Sequence, residues 1–249
     1  MSKGSQIDKN VRKMKVRIYS IIFIFCILLI VIFMFNSNLF FIERVSILNN
    51  GFLSDEEILS LSGIEVSDNI FKVKISDIHD KLVEHPRIKE VDVSRRLPNK
   101  IIIDVLERHE FIAINYIGIY FIVDSEGYII NSMKENLGLY EVSGLEVVGY
   151  KDGSKIETLD DKLLESIMKI AKYVEMSNLD FIPNFIVEND EINMYINQNF
   201  IVRFGDGSQI EDRFNKFNAI YADLRARTIS SGIININHNG YPSYIPYDG

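Results

Sequence analysis

Cysteine is almost missing from this chain. Cys26 is the only one among 249 residues, and it sits inside a long apolar run. Everything after that run therefore has no disulfide and no thiol chemistry, and its domains must be held by their own cores. Histidine is scarce too. His79, His85, His109 and His238 show no i, i+4 pair and no His-Glu-x-x-His, so a catalytic zinc site has no support and no cofactor or metal is expected. His79 reads as a helix-face residue, His85 as a turn, and His109 and His238 as loop positions. Repeats and low-complexity tracts are absent. Basic residues are outnumbered 35 to 27, for a net charge of −8. The first 35 residues hold six bases and one acid, so the remainder must carry −13 for the chain to total −8. An exterior that acidic repels nucleic acid and other phosphate-rich polymers in bulk.

What is present first is a membrane-spanning pattern. Residues 18–35 contain no charge, no Gly and no Pro. As a helix they span about 27 Å, close to a ~30 Å hydrocarbon core, and a helix satisfies its own backbone hydrogen bonds there. Lys3, Lys9, Arg12, Lys13, Lys15 and Arg17 precede the run against Asp8 alone. This asymmetry keeps residues 1–17 in the cytoplasm as a topogenic tail and places the rest outside, a single-pass type II arrangement. A cleaved signal peptide is the rival reading. It calls for a shorter apolar core followed by small residues, whereas this run exits into Asn36-Ser37-Asn38-Leu39-Phe40, read as a linker over 36–40.

From Phe41 a compact unit follows. Val45-Ser46-Ile47-Leu48 is a short strand closed by the Asn49-Asn50-Gly51 turn. Ser54-Asp55-Glu56-Glu57 is a capping box opening a helix that buries Ile58, Leu59 and Leu61 and stops at Gly63. A second helix over 76–84 ends before Pro86. Alternating runs at 88–94 and 100–107 then form an antiparallel hairpin around Arg95-Arg96-Leu97-Pro98-Asn99. Val91 and Val93 face Ile101, Ile103 and Val105 across it. The order strand-helix-helix-strand-strand suits a sheet with one face covered by two helices.

These residues carry a resemblance. Phe41-Ile42-Glu43-Arg44-Val45, the Gly51 and Ser54–Ile58 segment, Asn69-Ile70-Phe71-Lys72-Val73, His85 through Ile101, and Val105-Leu106-Glu107-Arg108 resemble the FtsQ/DivIB family of bacterial division proteins. They match its polypeptide-transport-associated (POTRA) domain, with Arg-Arg-Leu-Pro followed by a strand ending in Glu-Arg as the most specific part. Arg87 stands where an aromatic is usual. The family topology covers nearly the whole chain and implies an α+β architecture: tail 1–17, membrane helix 18–35, linker 36–40, POTRA domain 41–108, and a mixed β-sheet domain over 109–249 with two flanking helices.

In that second domain, runs at 111–115, 120–123 and 128–131 alternate like strands, the last two joined by Asp124-Ser125-Glu126-Gly127. Residues 139–149 resemble the family's Leu-Pro-x-Leu-x-Gly segment without its Pro. Asp160 or Asp161 starts a helix whose Leu163, Ile167, Ile170, Ala171 and Val174 share a stripe. Strands follow at 185–188, 191–196 and 200–204, closed by Gly205-Asp206-Gly207. A second capping box, Ser208-Gln209-Ile210-Glu211, opens a last helix buried through Ile210, Phe214, Phe217, Tyr221 and Leu224. Gly232 ends the helical region, and 233–237 and 241–246 form a final hairpin around Asn239-Gly240.

Enzymatic readings fail on spacing. Ser166-Ile167-Met168-Lys169 matches the Ser-x-x-Lys of penicillin-binding acyl transferases and Ser67-Asp68-Asn69 a second motif. Their order is reversed, no Lys-Thr-Gly exists, and Lys169 falls on the polar face of its helix. Asp206 between two glycines lacks the further acids or Lys of a calcium or phosphate loop and reads as a turn. No catalytic residues are assigned.

The C-terminus is more informative. Pro242 and Pro246 flank an aromatic strand and confine it to a sheet edge. An edge offers unpaired N–H and C=O groups to a partner strand, and it is equally a plain terminal strand blunted by proline. The family resemblance implies the former. The last strand and preceding helix would bind the bitopic proteins FtsB (DivIC in Gram-positive bacteria) and FtsL, with Tyr241, Ser243, Tyr244, Ile245, Arg225 and Arg227 at the matching positions. The arginines either pair with acids on the partner or are solvated charges at a helix C-terminus. The resemblance thus implies a non-enzymatic scaffold enriched at the division septum, and the lack of a long C-terminal tail points away from the typical Gram-positive form. The 100–107 strand is a second docking edge by this reading. The alternative is a polypeptide-transport chaperone of the envelope, for which tandem copies or an attached barrel are expected and neither is present.

Overall fold

The computed structural model describes residues 3–177, 179, 181–197, 199–237 and 241–247. The turn expected at Asn239-Gly240 and the loop position of His238 lie outside them. By chain contacts the molecule divides into two units, residues 1–84 with 88–107, and residues 85–87 with 108–249.

The first unit begins with α1 (Lys3–Asn36), extending past the apolar run on both sides. The stretch from Arg12 to Asn36 is long and apolar enough to cross a membrane. The exit segment is ordered rather than a free tether. Ser37 N–H bonds to the Phe33 carbonyl, and Asn38–Phe40 form a 3-10 turn capped by Ser37. After β1 (Arg44–Leu48) comes α2 (Asp55–Ser62). Both halves of its capping box are made: the Glu57 N–H donates to Ser54 Oγ and the Ser54 N–H to Glu57 Oε2. Gly63 ends it at φ +65°, a left-handed position that costs glycine nothing. α3 (Ile75–Val83), β2 (Ile88–Arg96) and β3 (Lys100–Glu107) complete the unit. Ile58, Ile78, Leu82, Ile101, Ile103 and Val105 fill its core.

The strand order is β1-β3-β2, with β1 parallel and β2 antiparallel to β3. The 100–107 strand is therefore central, not an edge. Both its ladders are occupied, so the expected second docking edge does not exist there. Register pairs Val91 with Val105 and Val93 with Ile103, the facing set expected from the alternation.

The second unit is a nine-stranded mixed sheet. Its strands are β4 (Ile112–Tyr116), β5 (Ile119–Val123), β6 (Ile129–Met133), β7 (Tyr140–Ser143), β10 (Asn184–Glu188), β11 (Glu191–Ile196), β12 (Phe200–Gly205), β13 (Gly232–Asn235) and β14 (Ser243–Ile245). A small ladder of β8 (Val147–Gly149) and β9 (Glu157–Thr158) stands apart. The order is β14-β13-β12-β11-β10-β7-β4-β5-β6. Parallel pairs β7/β10 and β12/β13 are bridged by α4 (Asp161–Met176) and α5 (Ile210–Ala226), since parallel neighbours need a long crossover. Asp160 caps α4 by accepting from the Lys162 and Leu163 amides. The two helices share one core with the sheet. Tyr173 of α4 lies 5.3 Å from Phe214 of α5, and Phe204 of β12 is 6.3 Å from Phe217.

The start of α5 departs from the expected capping box. Its N-cap is Gln209 at φ +51°, with no side-chain cap. Ser208 is already committed: its hydroxyl donates to Asp206 Oδ1 at 2.7 Å and accepts from Arg213 Nη2 at 2.9 Å. The helix ends at Ala226, with Thr228 at φ +58°, and Gly232 opens β13 instead of closing the helix.

Candidate interaction edge

The site is built from the last third of the chain. β12 pairs on one side with β11 and on the other with β13, which pairs antiparallel with β14. β14 stands at the end of the order, so one of its ladders is unpaired among the described residues. Pro242 and Pro246 bracket the three residues that pair with β13, which fixes how far the ladder runs.

Register sorts the predicted residues by face. Tyr244 pairs with the fully buried Ile234, so its half-buried ring points toward the core. Its hydroxyl donates to the Ser231 carbonyl at 2.7 Å. A Cβ on Gly232 would run into that ring, which is why a glycine fits at the start of β13. Tyr244 thus rivets β14 in place and is not a free contact residue. Ser243 and Ile245 pair with Asn235 and Ile233 and are exposed, and Tyr241 is 94 % exposed. Tyr241, Ser243 and Ile245 are the members the structure presents along the edge.

Arg225 and Arg227 sit at the C-terminal end of α5. The Arg225 guanidinium lies 5.9 Å from the Tyr221 ring centre and lines a cavity of roughly 360 Å³ with Tyr221, Phe200 and Ile229. Arg227 Nε contacts Asp223 at 3.0 Å, an exposed i, i+4 pair. Burial, then Glu188 and Tyr247, push the Tyr195 hydroxyl pKa above its ordinary value.

Three polar clusters that spacing did not reveal brace the interior of one unit or the other, each within its own unit. Glu107, at the end of β3, is buried and accepts from the amides of Gly51, Phe52 and Leu53 at 2.8–3.1 Å. It caps the loop before α2. Arg108 contacts Asp124 at 2.5 Å with both side chains buried, and its guanidinium lies 3.9 Å over the Tyr128 ring. Asp124 also accepts from the amides of Glu126 and Tyr128, which shapes the 124–127 turn. Arg213 is buried, bonds to the Phe204 carbonyl and reaches Asp206 at 2.9 Å. The Ser208 hydroxyl and amide, then Arg213, hold the Asp206 carboxyl below its ordinary range despite a small opposing effect of burial. A Glu-Arg pair closing a strand was the only sequence signal for any of these. An arginine on an apolar helix stripe, Arg213, would have been the second.

The groups tested for catalysis have structural occupations. Ser166 is buried and donates to the Gly207 carbonyl at 3.0 Å, while Lys169 is exposed. Among the described residues no cluster of three His, Cys, Asp or Glu side chains could hold a metal ion.

Comparison with known proteins agrees with this architecture. A family profile described as "POTRA domain, FtsQ-type" matches residues 40–108. The chain is 26% identical to the cell division protein DivIB of Clostridium botulinum (strain Hall) over 240 residues, 94% of each chain. It is 27% identical to DivIB of Geobacillus kaustophilus over 248 residues, 96% of this chain and 88% of that one. It is 22% identical to the cell division protein FtsQ of Myxococcus fulvus over 210 residues, 83% and 72% respectively. Relatives matched over nearly the full length of this chain carry the DivIB name.

Proposed function

We propose, for a chain that belongs to the FtsQ/DivIB family of bacterial cell division proteins, a role as a non-enzymatic scaffold of the division septum. It is anchored by α1 with its N-terminus in the cytoplasm and its folded units outside. Through β14 and the end of α5 it holds the bitopic partners FtsB/DivIC and FtsL, and so helps coordinate septal peptidoglycan synthesis. The observation that supports this most directly is the open outer ladder of β14, with Tyr241, Ser243 and Ile245 exposed along it. A partner strand would add main-chain hydrogen bonds there, and Arg225 and Arg227 would meet acids on the partner.

Photo-crosslinking in living cells tests the reading. The crosslinker belongs at Ile245, because Tyr244 is occupied by packing and replacing it would loosen the strand itself. Adducts with a small single-pass coiled-coil protein are expected. A mixture of unrelated secreted chains would instead favour the transport-chaperone alternative.

A further inference from the structure

The turn between β2 and β3 has an unusual surface. Register places Arg44, Lys100 and Arg96 directly opposite one another across all three strands, so three cations share one face. Like charges in cross-strand register destabilise a sheet. None of the three has a carboxylate within ion-pair distance among the described residues. The nearest acids paired across this face, Asp104 and Asp92, lie four residues along the strands, and Glu90 lies beyond them. At the tip of the same turn Leu97 is 61 % exposed. A lone leucine flanked by unpaired cations, on a chain whose exterior is strongly acidic, marks a surface fitted to something anionic with an apolar boundary.

Its position says what that is. Met34 lies at the end of the apolar helix, and its carbonyl accepts from Asn69 Nδ2 at 3.0 Å. The chain leaving the helix is zipped to the same loop, Ile70 N–H to the Phe40 carbonyl and Ile42 N–H to the Asp68 carbonyl. Phe71 packs 6.2 Å from Phe35 and 5.2 Å from Phe40. On its other side this segment meets the turn, where the Asn99 carbonyl accepts from the Glu43 and Arg44 amides. Arg95 closes the bundle by donating to the Ile70 and Val73 carbonyls. Helix end, loop and turn are thus tied by consecutive hydrogen bonds, and a bilayer that holds Met34 at its boundary holds the turn close by.

We infer that the 96–100 turn is a second, peripheral membrane contact, with Leu97 entering the outer-leaflet interface and Arg44, Arg96 and Lys100 engaging anionic lipid headgroups. This rests on the reading that α1 spans the membrane. It gives the first unit a fixed footing on the bilayer.

The chain has no tryptophan, so single introduced tryptophans report alone. Full-length Leu97→Trp and Phe25→Trp proteins are reconstituted in brominated phosphatidylcholine vesicles with and without phosphatidylglycerol. Phe25→Trp should be quenched in both lipids. Leu97→Trp should be quenched mainly with phosphatidylglycerol, and each of Arg44→Gln, Arg96→Gln and Lys100→Gln should weaken the contact about fivefold at low salt. Quenching at Phe25→Trp without any at Leu97→Trp overturns the inference and leaves the membrane helix standing. An unquenched Phe25→Trp overturns both. A response of Leu97→Trp to soluble poly(glycerol phosphate), but not to brominated lipid, also overturns it and assigns the row to a wall polymer.

Discussion

Asp124 shows how one side chain decides a local fold. It accepts from two turn amides while facing the buried Arg108 guanidinium, so removing it leaves that cation only a longer contact of 3.7 Å to the more exposed Glu126. Asp124→Ala should cost about 3–5 kcal/mol in the second unit, measured by urea unfolding. Asp206 makes a smaller, pH-dependent contribution, discounted because the carboxyl is largely exposed. Its pKa is depressed below the ordinary 3.8, so the folded state binds fewer protons than the unfolded chain in acid. The stabilisation is complete above pH 3.8 and is lost as pH falls through the folded value. Asp206→Asn should lower stability modestly at neutral pH and flatten the acid limb of a stability–pH curve, so that the two proteins converge at low pH. A steeper acid limb would contradict that assignment. Gly144 is a backbone requirement: it sits at φ +85° with a Cβ position that meets the Val187 carbonyl. Gly144→Ala should lower the melting temperature, whereas Gly118→Ala, with open space at its Cβ, should suffer only from its own positive φ.

At the scale of elements, the periodicities were legible and the partners were not. The stripe Ile210, Phe214, Phe217, Tyr221, Leu224 is buried as its spacing requires, because a 3.6-residue period puts those residues on one side wherever the helix lands. Truncating its centre, Phe217→Ala, should cost about 3–5 kcal/mol by denaturant titration. The failures are of another kind. The 100–107 strand alternates like any half-buried strand, and nothing local says that β1 pairs along its other side. Ser208 has the spacing of a cap, yet its hydroxyl is claimed by Asp206 and by Arg213 from the next helical turn. Tyr244 and Ile245 are adjacent apolar residues in the sequence, and only the β13 register sends one to the core and the other to solvent.

For the whole molecule, the lone cysteine has a measurable consequence. Cys26 lies in α1, so thermal unfolding of the two folded units should be unaffected by reductant. A shift in melting temperature with dithiothreitol would require a disulfide the chain cannot make internally. Local pattern alone determined the long apolar helix, the order of elements in the first unit, the helix stripes and the family to which the motifs belong. These depend on residue types at fixed short spacings, which the backbone periods convert directly into faces and caps. The tertiary structure alone decided which strand is central, which end of the nine-stranded sheet is open, that Arg108 meets Asp124, and that three cations line up beside a leucine near the end of the apolar helix. Those facts are pairings between distant segments. Each is selected by the free energy of the assembled sheet and core, and no window of neighbouring residues contains it.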